Sequence, residues 1–121
     1  MKLFLYAPDM CKSGKRLRKV IEALVSKEDT ESYRTIEGLT FRLRQPRHNK
    51  LIAVLLATSR EELSDILSLS DLLCDIRIML VLPDRELVTI AKGHTLRPRF
   101  VTYADSDFVE MAAVLNKVLG N

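Results

Sequence analysis

The sequence predicts an α/β domain built on a doubly wound, five-stranded parallel sheet. Two observations carry that expectation. Three short apolar runs, "LFLY" at 3–6, "LIAVLLA" at 51–57 and "IRIMLVL" at 76–82, read as strands, the first two continuous enough for burial on both faces. Segments with apolar residues at helical spacing follow each of them, and strands alternating with helices imply parallel pairing with helices on both sides.

The elements follow in chain order. After the first strand, Leu17, Val20, Ile21, Leu24 and Val25 form one helical stripe. Lys27 to Thr30 is polar and reads as a loop, and Glu31 to Thr35 as a short polar strand, which belongs at a sheet edge. Residues 36–44 fit a helix through Ile36, Leu39 and Leu43, capped by Thr35 and ended by Gln45-Pro46. They also fit a strand through Leu39, Phe41 and Leu43 after a Glu37-Gly38 turn; the helix is preferred. After the strand at 51–57, Thr58 or Ser59 caps a helix with Glu61 or Glu62 behind it. That helix carries Leu63, Ile66 and Leu67 and continues irregularly to Leu73. Pro83-Asp84 should begin the next helix, with Leu87, Ile90 and Ala91 inward and Gly93 as its stop. Phe100 to Tyr103 is the last strand, and the final helix turns Phe108, Met111, Ala112, Leu115 and Leu119 to one side. A polar second strand at an edge fits the flavodoxin-like order 2-1-3-4-5.

The 121 residues fit one domain, 1–121, large enough to hold its core without a disulfide or a metal. No apolar run approaches the roughly 20 residues of a membrane span. The first residues read as a strand rather than a signal peptide, which places the protein in the cytoplasm. A net charge of +3 permits an acidic partner without demanding one. Cys11, Cys74, His48 and His94 lack metal-ligand spacing, so neither a metal nor a cofactor is expected.

Ligands of such sheets bind beyond the carboxyl ends of the strands. Five turns meet there: Ala7 to Gly14, Thr35 to Glu37, Ala57 to Arg60, Leu82 to Asp84 and Tyr103 to Asp107. Five uninterrupted β-α units over the whole chain resemble response-regulator receiver domains. The resemblance rests on pattern, because the family's site motifs are missing or displaced. The magnesium-binding acidic pair expected after the first strand reads Ala7 and Pro8, with only Asp9 following. The phosphoacceptor aspartate after the third strand reads Leu56-Ala57-Thr58. The hydroxyl after the fourth reads Leu82-Pro83, and the lysine after the fifth falls in Val101-Thr102-Tyr103. Without the carboxylates magnesium lacks ligands, so the resemblance implies a pseudo-receiver. Asp9, Asp84, Asp105 and Asp107 remain on the rim, and each reads as a helix cap.

The first turn, "DMCKSGKR", fails as a Walker loop, with Asp9 and Arg16 where glycine and a hydroxyl residue belong. It fails as a low-molecular-weight phosphatase loop because Arg16 follows Cys11 one position early. It fails as a sugar-phosphotransferase loop because Cys11 lies several residues past the strand. Cations beside a helix start would lower a cysteine pKa and hold an anion. The preferred reading is a solvated basic face of Lys12, Lys15 and Lys19; anion binding by Lys12, Ser13, Gly14 and Lys15 is second, and thiol catalysis third. A second cluster, Arg42, Arg44, Arg47, His48 and Lys50, should lie at the opposite edge and not merge with the first. With 6% aromatics, not interleaved with cations, nucleic acid is not the expected partner. Flavin is disfavoured by the same shortage and by a first turn poor in hydroxyl residues. His94, with no nucleophile near it in sequence, reads as a loop residue.

The expected function is therefore a non-catalytic receiver-like module for protein-protein interaction or signalling. The alternative is a small-anion or phosphoryl-carrying domain using the Lys12–Arg16 turn and Cys11. The resemblance directs the interface to the last strand and its flanking helices, with Arg97, Arg99, Phe100 and Tyr103 as contact residues. The expected occupant is a protein partner or a second copy, and no membrane contact is expected.

Overall fold

The computed structural model describes residues 2–8, 12–46 and 51–119. The strands are β1 (Lys2–Tyr6), β2 (Thr30–Tyr33), β3 (Leu51–Leu56), β4 (Arg77–Leu82) and β5 (Phe100–Tyr103). All neighbours pair in parallel, in the order β2-β1-β3-β4-β5. The helices are α1 (Lys12–Leu24), α2 (Ile36–Leu43), α3 (Arg60–Leu67), α4 (Ser70–Leu73), α5 (Leu87–His94) and α6 (Val109–Val118). The fold is thus the α/β, flavodoxin-like arrangement read from the sequence, and it is consistent with a receiver-like domain.

Strand alternation divides the core into two layers. Phe4, Ala53, Leu55, Ile78 and Leu80 face α2, α3, α4 and α5. Leu3, Leu5, Ile52, Val54, Met79 and Val81 face α1 and α6. Because β1, β3 and β4 are covered on both sides, they needed unbroken apolar sequence. No helix among the described residues is long and apolar enough to cross a membrane.

Several local expectations hold. Residues 36–43 are helical, and Thr35 Oγ1 accepts the Gly38 amide at 3.1 Å. Ser59, rather than Thr58, caps α3 by accepting the Glu62 amide at 3.1 Å. The helix breaks at Ser68-Leu69 and resumes as α4, ending at Leu73.

Others are corrected. Lys27–Asp29 is a 3-10 turn, and β2 already begins at Thr30. α5 starts at Leu87, not at Pro83-Asp84, because Asp84 accepts the Glu86 amide at 2.9 Å and holds 84–86 as a turn ahead of the helix. The inward face of α5 also differs from the expected one, although Ile90 does pack against the core. Leu87 is 83% exposed and Ala91 is exposed, while Thr89 and Gly93 are buried and Ile90 is half-buried. Gly93 is therefore no stop. It lies inside α5 against β4, where an added Cβ would sit 2.9 Å from Leu82 Cδ2 and 3.0 Å from Leu80 Cδ2.

Candidate functional site

The site that this fold offers is the rim beyond the carboxyl ends of the strands. β1 runs into Ala7, whose amide donates to Tyr33 O at 3.1 Å and whose carbonyl accepts from Arg18 at 2.8 Å. β3 runs into Ala57, whose amide donates to Val81 O at 3.0 Å. Both alanines are fully buried. Methyl groups thus stand where the receiver pattern would place oxygen ligands. Among the described residues no three His, Cys, Asp or Glu side chains gather as a metal site.

The remaining rim acids are held by the protein's own groups. Asp105 receives both Arg85 nitrogens, at 2.7 and 2.9 Å, and Arg85 lies 4.3 Å above the Tyr103 ring. The hydrogen bond from Arg85 draws the Asp105 carboxyl below its ordinary pKa. Asp84 accepts from Arg60 Nε at 3.2 Å as well as from the Glu86 amide. Its pKa is also lowered, first by the Thr89 hydroxyl and then by the Glu86 amide. The Thr89 influence is one of proximity rather than a formed bond, since its buried Oγ1 meets no partner in hydrogen-bond geometry. Asp107 accepts the Val109 amide at 3.1 Å from one residue ahead of the N-cap position, Phe108, so it too heads a turn rather than capping the helix as expected. Asp84 and Asp105 were expected to cap helices too, but Asp84 holds the Glu86 amide and Arg60, and Asp105 is paired with Arg85. Asp9 lies outside the described residues.

The first-turn cations divide into two sets. Lys12, Lys15 and Lys19 are exposed on α1, Ser13 is half-buried and Gly14 is buried. Arg16 reaches across to Ala104 O at 2.7 Å and lies 5.7 Å above the Phe108 ring. Arg16 and Arg18 thus tie α1 to the rim. Cys11 lies outside the described residues. In the second basic cluster, Arg42 turns inward to Glu31, Arg44 is exposed, and Arg47, His48 and Lys50 lie outside the described residues. Arg42 and Arg44 lie on the opposite face of the sheet from Lys12, Lys15 and Lys19, rather than at the opposite edge as expected, because α1 and α2 both adjoin β2 but pack on different sides.

At β5, Arg97 and Arg99 are exposed and Phe100 and Tyr103 half-buried. Arg97 has a left-handed backbone, φ 51°, and its amide donates to His94 O at 3.0 Å, closing the turn after α5. The Arg99 amide then donates to Ile78 O at 2.7 Å and starts the pairing with β4. At the other end of β5, Leu87 and Val88 of α5 are 83% and 59% exposed, and Val109 of α6 is 64% exposed. The sequence reading turned Leu87 inward and singled out neither Val88 nor Val109. A shallow hollow of about 170 Å³ at the opposite end of the sheet is lined by Cys74, Leu96 and Arg97.

Compared with protein-family models and with curated proteins, the chain matches none.

Proposed function

We propose that the chain is a non-catalytic receiver-like module, a pseudo-receiver, that acts by protein-protein contact through the face formed by α5, β5 and α6. The observation that carries this is the contrast at one corner of the rim. Alanine stands where a receiver would carry acids and the rim acids Asp84 and Asp105 are tied to arginine, while Leu87, Val88 and Val109 are exposed at the starts of the helices flanking β5. Leu87 and Val88 adjoin on α5 and Val109 opens α6 on the other side of β5, and large exposed apolar side chains are the kind of surface that partners cover. Arg97 and Arg99 at one end of β5 and Asp107 and Glu110 at the other suit a two-fold contact, in which each end meets the opposite end of a mate. Pro98 cannot donate to a strand ladder, so the contact uses side chains.

Two measurements test this reading. Incubation with acetyl phosphate and magnesium should add no phosphoryl group to an aspartate, and a stable mass gain there would contradict it. Sedimentation velocity at about 1 M salt, where screening shortens to about 3 Å, should show association that Leu87→Asp/Val109→Asp removes. Association unchanged by that pair would contradict the assignment of the face.

A further inference from the structure

Charge is sorted between the two faces of the molecule. Residues 12–19 hold Lys12, Lys15, Arg16, Arg18 and Lys19 and no acid. Residues 61–76 hold Glu61, Glu62, Asp65, Asp71 and Asp75 and no lysine or arginine. The first group lies on α1, on one side of the sheet. The second lies on α3 and α4 and the turn after them, on the other side.

Both groups face solvent. Lys12, Lys15 and Lys19 are exposed and fall at i, i+3 and i+7, a line about 10 Å long at 1.5 Å per residue. Glu61, Asp65 and Asp71 are exposed in turn along α3 and α4. Among the described residues, none of these six joins an ion pair. Arg60, which borders the acidic line, is already held by Asp84. The acidic field also reaches the interior. The Tyr6 phenol is pushed up to about 12, first by burial and then by Glu62, Asp65 and Glu37.

We propose that the lysine line of α1 docks on the acidic α3–α4 face of a second copy of this chain. Each patch is the other's complement in sign and carries three exposed charges, and both are present at equal concentration. A single exposed pair contributes little. Three aligned pairs steer and orient an encounter together, and like-charged alternatives repel. Because the patches lie on opposite faces, the contact is head-to-tail. Each added copy leaves one basic and one acidic face open, so the assembly is an open stack rather than a closed dimer. This surface is separate from the apolar α5–β5–α6 face, whose proposed contact should survive high salt.

The test uses the full chain and two charge-reversed variants. One is Lys12→Glu/Lys15→Glu/Lys19→Glu, which makes both faces acidic. The other is Glu61→Lys/Asp65→Lys/Asp71→Lys, which makes both basic. Circular dichroism confirms folding, and the neutral pairs Lys15→Gln/Lys19→Gln and Asp65→Asn/Asp71→Asn serve if a reversal does not fold. Sedimentation velocity of the wild type should show mass growing with concentration at low salt. Moving from about 0.01 to about 1 M salt shortens the screening length from about 30 to about 3 Å and should lower this association at least about tenfold. Each reversed variant alone should lose the salt-sensitive association, and an equimolar mixture should regain it. The neutral pairs should each weaken it. A wild type without salt-sensitive growth, variants that associate as the wild type does, or a mixture that stays dissociated would overturn the proposal. So would a stack that stops at two copies.

Discussion

The two edges of the sheet are finished in different ways. At the β2 edge, Glu31 is held by Arg42 at 2.9 Å and Lys2 at 3.4 Å, and accepts the Tyr33 hydroxyl. Arg42 lies 5.0 Å over the Phe4 ring, and Phe4 meets Tyr33 edge-to-face at 5.7 Å. Charge and ring are satisfied from within. At the β5 edge, Phe100 and Val101 are half-exposed, and Leu87, Val88 and Val109 stand out from the flanking helices. An edge that supplies its own partners needs none from outside. An edge left apolar is a liability unless something covers it. The proposed contact surface rests on this contrast and not on any catalytic residue.

The largest effect expected is at the closed edge. Phe4 is 1% exposed and supports both Arg42 and Tyr33. Phe4→Ala should destabilise by about 3–5 kcal/mol in denaturant titration, with early loss of amide protection in β2. A uniform loss across the sheet would show that the network is not a separate support.

Gly93→Val asks whether the other edge depends on close packing. The new side chain must displace Leu80 and Leu82 from fully buried positions. The expected cost is about 1–3 kcal/mol, read as a shift of the denaturant midpoint. A neutral outcome would mean that α5 moves freely away from β4.

Glu31→Gln removes the ion pair and should cost about 1 kcal/mol at neutral pH. Burial raises the Glu31 pKa, but hydrogen bonds from Arg42 and Tyr33 outweigh it, so the folded value is lowered. A depressed carboxyl contributes fully above its unfolded pKa of about 4.3, and the contribution fades as pH falls through the folded value. The difference between wild type and Glu31→Gln should therefore shrink in acid. A constant difference down to the acid transition would contradict the assigned pairing.

The smallest effect on stability belongs to the open edge. Leu87→Asp/Val88→Asp should change stability by no more than about 0.5 kcal/mol per site, because both side chains already face water. A large loss would mean that they serve the fold rather than a partner.

Much of the fold was legible because burial on both faces leaves continuous apolar strands. "LIAVLLA" admits no other role in a domain of this size. The polar β2 announced its edge position in the same way. The error in α5 has a physical origin. Asp84 reads equally well as a helix cap or as the head of a turn, and only its contact with the Glu86 amide decides. Gly93 likewise reads as a stop, although it is buried where no side chain fits. The missing acids at Ala7 and Ala57 were visible as letters, but the pairing of Asp84 and Asp105 with arginines was not. Nothing local in sequence separates a solvated arginine from Arg16, which crosses 88 positions to reach Ala104.

The most direct test of the central claim compares the two edges in one experiment. A photo-crosslinking residue is placed at Leu87, at Val109, or at the exposed Ser32 of β2. Each protein is irradiated at high concentration in about 1 M salt, where screening falls to about 3 Å, and again in extract. The account predicts adducts with a second copy or a protein partner from positions 87 and 109 and none from 32. Adducts from 32 equal to those from 87 and 109, or none from either β5-side position, would contradict it.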